Sequence, residues 1–182
     1  MKTTYHTKKI NGVEIFYREA GDKKKPTLVL LHGYPTSSHM FRNLINDLSD
    51  KYHLIAPDYP GYGRSEQPPM SEFKYTFENI ASIVTSLLKE LDIQKYSLYL
   101  MDYGAPIGFR IATANPEKID SLIIQNGCAY EEGLEAFWDP FKVYWKDINN
   151  KEAANTLQGF HSPDGLKWQY THNVPNPELV SP

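Results

Sequence analysis

Residues 96–108, Tyr-Ser-Leu-Tyr-Leu-Met-Asp-Tyr-Gly-Ala-Pro-Ile-Gly, constrain the fold more than any other stretch of the chain. An apolar run meets a lone carboxylate, Asp102, then the small residues Gly104 and Ala105, then Pro106, which suits a first helical turn. This order predicts a strand that bends sharply into a helix. A side chain on such a bend is pushed out over the edge of the sheet, and its neighbours must be small to allow it. A carboxylate there, with an unperturbed pKa of about 3.9, is ionised at neutral pH and needs no base to act as a nucleophile. The dipole of the helix that follows favours its charge. The competing reading is ordinary: Asp102 caps the helix, a common role for Asp.

The rest of the chain supplies strands to set beside this one. Asn11-Gly12 between Lys8–Ile10 and Val13–Tyr17 predicts a hairpin, because both turn residues tolerate positive φ. Thr27–Leu31, His53–Ala56 and Ser121–Gln125 are continuously apolar or nearly so, as strands buried on both faces should be. Between them lie helical patterns. Ser37 or Ser38 caps one bearing Phe41, Leu44, Ile45 and Leu48, and Thr76 starts a longer one bearing Ile80, Ile83, Val84, Leu87, Leu88 and Leu91. Strands alternating with amphipathic helices imply an α/β fold, a mostly parallel sheet covered by helices on both faces. Ligands of such sheets bind at the carboxyl ends of the strands, where His32-Gly33-Tyr34, Asp58 and Asp102 all fall. Gly61 and Gly63 form a G-x-G without a third glycine, which reads as tight turns and not as a dinucleotide site.

From Cys128 onward strand-like runs disappear, and Phe137, Trp138, Phe141, Tyr144, Trp145 and Ile148 recur at helical spacing. Residues 1–127 are therefore read as the α/β core and 128–182 as a helical appendage, with only short helical pieces assignable beyond Thr156. Nineteen Lys and Arg against 22 Asp and Glu, with no long block of one sign, leave no signature of nucleic-acid binding. No apolar run approaches the roughly 18 residues of a membrane span, and no signal peptide is visible. With a single cysteine, these features predict a cytoplasmic protein.

Three motifs, His32-Gly33-Tyr34-Pro35, Asp58-Tyr59-Pro60-Gly61-Tyr62-Gly63-Arg64-Ser65 and Met101-Asp102-Tyr103-Gly104-Ala105-Pro106, resemble in order and spacing the α/β-hydrolase superfamily. The resemblance is to its haloalkane dehalogenase and epoxide hydrolase-like branch. It implies that Asp102 is the nucleophile, that the backbone N–H groups of Tyr34 and Tyr103 form the oxyanion hole, and that residues 128–182 begin a helical cap. It implies also that His32, Trp138 and Tyr144 contact a small apolar electrophilic substrate, and that no cofactor or metal is needed. The implied chemistry is attack of Asp102 on an epoxide or alkyl halide, giving an ester that a His-activated water later hydrolyses.

Several departures sharpen this expectation. Dehalogenases of the branch commonly carry Trp after the nucleophile, where this chain has Tyr103, and one large group carries Asn where it has Tyr34. Both changes lean toward an epoxide or another compact electrophile. Leu100 replaces the small residue usual two positions before the nucleophile, which predicts a less tight turn. In the family the acid and then the His follow the cap, whereas Asn126 cannot ionise and only His161 and His172 follow Asp102. The general base is thus expected to be missing and the isolated chain inactive. Truncation is also expected to expose Leu122, Ile123 and Ile124 on a sheet edge open to a partner chain or to self-association. The alternatives are a non-catalytic or partner-dependent fragment, and a small-molecule binding module on the same fold.

Overall fold

The computed structural model describes residues 2–180. Packing divides the chain into two compact units, residues 1–129 and 130–182.

The first unit is built on a six-stranded sheet. Strands β1 (Thr4–Ile10) and β2 (Val13–Ala20) form the expected hairpin, with Asn11 at φ 48° and Gly12 at φ 91° in its turn. Strands β3 (Thr27–Leu31), β4 (His53–Pro57), β5 (Tyr96–Met101) and β6 (Ile119–Gln125) complete the order β1-β2-β4-β3-β5-β6. The pairs β4/β3, β3/β5 and β5/β6 are parallel, while β1/β2 and β2/β4 are antiparallel. The sheet is therefore mostly parallel among the strands that carry the site.

Helices cover both faces, and β3 shows why its sequence has no polar alternation. Val29 and Leu31 belong to the core shared with α2 (Phe77–Glu90) and α3 (Gly104–Ala114), which contribute Val84, Leu87, Ile107 and Ile111. Leu28 and Leu30 point the other way and pack with Phe41 and with Ile45 of α1 (Arg42–Leu48). Because successive side chains alternate across a sheet, a strand buried on both sides must be apolar at every position. Ser37 caps the short 3₁₀ turn that leads into α1, accepting from the His39 amide, and Thr76 caps α2 by accepting from Asn79.

The sixth strand is exposed as an open edge should be, although its apolar run alone points to burial. Ser121–Gln125 reads as a strand buried on both faces, yet Leu122, Ile123 and Ile124 are 39%, 44% and 51% exposed. The physical reason is position: β6 pairs with β5 along one edge, and among the described residues no strand pairs with its other edge.

The second unit contains α4 (Asp139–Lys146), α5 (Lys151–Gln158) and α6 (Pro163–Thr171). Its packing centres on aromatic rings, with Phe137 meeting Trp138, Phe141, Phe160 and Trp168 at centroid separations of 5.2–6.3 Å. The helical spacing seen from Phe137 resolves into a 3₁₀ turn over Ala136–Trp138 followed by α4, which ends before the exposed Ile148. Asn150 and Ser162 cap α5 and α6 through the amides of Ala153 and Gly165. Among the described residues no helix is long and apolar enough to cross a membrane.

Candidate active site

Asp102 follows the last residue of β5 and precedes α3, with φ at +50°, the left-handed region that a non-glycine residue enters only under constraint. Three close approaches hold this bend. A Cβ on Gly104 would overlap the Leu31 carbonyl, and one on Gly33 would overlap the Asp102 side chain itself. The third concerns Leu100, whose bulk predicts a looser turn. The turn nevertheless forms, because a Cβ on Gly108 would collide with the Leu100 side chain; the missing methyl on α3 makes room for the large residue on β5.

The Asp102 carboxylate does not cap its helix. Its Oδ1 accepts hydrogen bonds from the Tyr103 amide at 2.6 Å and from the Tyr34 amide at 2.9 Å, and α3 has no side-chain cap. Oδ2 has no protein donor among the described residues. Two backbone donors from separate segments thus converge on one oxygen and leave the other unclaimed. The rings of Tyr34 and Tyr103 stand 6.0 Å apart beside this pair, and Phe77 packs edge-on to Tyr103 at 5.2 Å. Burial, then the neighbouring charges of Asp102 and Tyr34, push the Tyr103 phenol above its ordinary range. Tyr62 is raised too, mainly by burial and then by Tyr103, Asp102 and Tyr34, so it belongs to the same neighbourhood. Both phenols therefore stay protonated at neutral pH.

His32 directly precedes Gly33 and Tyr34. It is fully buried, its ring is stacked on Tyr59 at 4.1 Å, and Nδ1 donates to the Gly33 carbonyl at 2.9 Å. Nε2 is the one fully buried side-chain polar atom without a partner among the described residues, and burial pushes the ring pKa down to about 4. The Tyr59 hydroxyl donates to the His32 carbonyl at 2.9 Å, which fixes the loop carrying Gly33 and Tyr34. Asp58 ties that loop to the next: its two oxygens accept the Ser38 and Arg64 amides, both at 2.8 Å. Gly63, at φ +55°, lies against Asp58 Oδ2, where a Cβ would not fit.

The structure therefore brings Asp102, Tyr34 and Tyr103 together, and His32 packs its ring against Tyr59 and Tyr62. Trp138 and Tyr144 are half-buried in the second unit, where Trp138 packs on Phe137, Phe141 and Trp145 and Tyr144 lies on α4. Tyr62, Gly33 and Gly108 escaped the sequence reading as site residues. Tyr62 does lie inside the Asp58–Ser65 motif, whereas the glycines matter through contacts with residues 69 and 8 positions away. Among the described residues no group of three or more His, Cys, Asp or Glu is arranged to hold a metal.

A profile of the alpha/beta hydrolase fold matches residues 26–165. The chain belongs to this family. An uncharacterized hydrolase of Saccharomyces cerevisiae is 43% identical over 175 residues, 94% of this chain and 60% of that protein. A haloalkane dehalogenase of Mycolicibacterium paratuberculosis is 34% identical over 116 residues, 63% of this chain and 38% of the relative. Among solved structures, the epoxide hydrolase CorEH superposes with a TM-score of 0.75 at 25% identity, covering 99% of this chain and 64% of that one. These likenesses put the α/β-hydrolase chain in the haloalkane dehalogenase and epoxide hydrolase-like branch. It spans less than two thirds of the length of each of these relatives.

Proposed function

We propose that Asp102 is the nucleophile of a hydrolytic reaction on a small epoxide or alkyl halide. The observation that carries this reading is the asymmetry of its carboxylate. Oδ1 is held by the Tyr34 and Tyr103 amides, so Oδ2 is the oxygen left to attack carbon. Attack forms an ester through Oδ2 and breaks the carbon–oxygen or carbon–halogen bond of the substrate, whose leaving atom departs with the electron pair. When water later adds to the ester carbonyl, negative charge develops on Oδ1, which already lies against two amide donors. The names of the relatives support this electrophile class, and Tyr103 and Tyr34 beside the nucleophile favour an epoxide, since a phenol can hydrogen-bond the alkoxide that ring opening releases. His32 is proposed as a buried support under the substrate, and Trp138 and Tyr144 as substrate contacts of the cap.

Deprotonating that water calls for a His, and the two histidines after Asp102, His161 and His172, both belong to the second unit. Residues 1–182 are proposed to alkylate and not to turn over. The test is intact mass after incubation with a panel of epoxides and alkyl halides. A persistent adduct, absent in Asp102→Ala, is expected, and its mass names the substrate class. A folded sample that forms no adduct overturns the nucleophile, and steady multi-turnover hydrolysis overturns the missing base.

The exposed β6 favours a second reading, in which activity needs another polypeptide paired along that edge, either a partner chain or a second copy. Sedimentation decides it: a monodisperse monomer over a wide concentration range counts against it.

A further inference from the structure

Three arginines from distant parts of the sequence meet around His39, and none of them has a carboxylate partner among the described residues. Arg18, on β2, is only 9% exposed. Its Nε donates to Ser38 Oγ at 3.0 Å, and one terminal nitrogen donates to His39 Nδ1 at 3.3 Å. Arg42 donates to the His39 carbonyl at 3.4 Å, and Arg64 lies over the Phe16 ring at 5.4 Å, with Arg18 over the same ring at 5.9 Å. The ion pairs among the described residues all involve other side chains.

A nearly buried guanidinium is costly unless it is paired, and like charges nearby add to the cost. Arg18 uses two of the nitrogens of its five-donor fork, and its other terminal nitrogen is not sealed from solvent, since no Arg18 atom is among those fully buried without a partner. Arg42 and Arg64 are exposed. The one carboxylate felt at His39 is Asp58, whose oxygens are already taken by two backbone amides. The arrangement thus gathers three guanidinium groups from three segments, two of them exposed, with no paired carboxylate among the described residues.

We propose that Arg18, Arg42, Arg64 and His39 form a binding site for a phosphate group. A tetrahedral dianion offers acceptors to donors arriving from three directions, and guanidinium forks match its oxygens; a carboxylate carries half the charge and two oxygens in one plane. His39 makes the site responsive to its ligand. An arginine can only donate, so His39 Nδ1 accepts and the ring is neutral in the empty site. Desolvation by the neighbouring protein and the charges of Arg18, Arg42 and Arg64 hold its pKa below the ordinary value although the residue is exposed, against Asp58, which raises it. A bound dianion reverses that balance and favours the imidazolium.

Titration calorimetry with inorganic phosphate and with phenyl phosphate, on the full chain, tests the site. Saturable binding is expected, and each of Arg42→Gln and Arg64→Gln weakens it about tenfold, as loss of a charge-assisted hydrogen bond should. Both substitutions fall on exposed side chains, so the variants fold. Equal affinities assign the site to free phosphate, and tighter phenyl phosphate assigns it to a phosphate ester. NMR titration of His39 with and without sulfate, which keeps its charge over the range, gives a second readout: the imidazole pKa rises with sulfate. Absence of saturable binding, full affinity in the double variant, or an unmoved His39 each overturns the proposal.

Discussion

Strands β3 and β6 are written in nearly the same alphabet and end in opposite surroundings. Thr27-Leu28-Val29-Leu30-Leu31 is buried throughout, with Val29, Leu30 and Leu31 wholly so, whereas Leu122, Ile123 and Ile124 of β6 are about half exposed. The difference is one of neighbours. Strand β3 sits between β4 and β5 and has α1 on one face and α2 with α3 on the other; β6 has β5 alone in the sheet. An apolar run reports the surroundings a strand is suited to, and the sheet decides whether it receives them. Strand β3 also leads into His32-Gly33-Tyr34, so the donor at Tyr34 follows a strand that is buried at every position.

The comparison is broken most directly by trimming each strand. Leu30→Ala removes side-chain volume from a closed core and is expected to cost about 2–5 kcal/mol. Ile124→Ala removes a side chain that is half in water already, and the expected cost is under about 1 kcal/mol. Urea unfolding midpoints of the two variants measure both. A large loss at Ile124 would mean that β6 is covered in solution, and the contrast between the strands would then belong to the isolated chain alone.

A smaller effect comes from pH, acting at the end of β3. His32 is buried as the neutral ring, with its pKa pushed down to about 4 from 6.5. The unfolded chain takes up this proton as pH drops below about 6.5, and the folded protein only near 4. The stability contributed by keeping the ring neutral is therefore complete above the unfolded value and is lost as pH falls through that window, by on the order of 3 kcal/mol. In His32→Phe the dependence over this window should flatten, whatever the variant's absolute stability. An unchanged slope would assign the acid sensitivity to other groups.

The same contrast marks how far the sequence could be read. The hairpin at Asn11-Gly12, the caps at Ser37 and Thr76, the strands β3 to β5 and the bend at Asp102 were legible because each depends on residues within a turn or two of one another. The exposure of β6 depends on what lies beside it in the sheet, whereas its apolar pattern alone points to burial. Contacts between distant residues left no local trace. The overlap of Gly33 with Asp102 is of this kind, as is the meeting of Arg18, Arg42 and Arg64 around His39. Tyr62 lay within a recognised motif, but its place beside Tyr103 and Asp102 depends on how the loop after β4 folds back.

The most local test lies on β5, the strand between the two compared. Leu100 is wholly buried and fills the space left by Gly108 on α3. Leu100→Ala alone leaves a cavity, and Gly108→Ala alone forces a methyl against Leu100; each is destabilising for an opposite reason. Together the added methyl occupies part of the vacated volume, so the double variant should be more stable than the sum of the singles predicts, with a coupling of about 1 kcal/mol. The cycle is read from chemical unfolding of the four proteins. Additive effects would mean that the elbow relaxes around either change by itself. Coupling would mean that the bend at Asp102 tolerates a large residue two positions before it because α3 has none at 108.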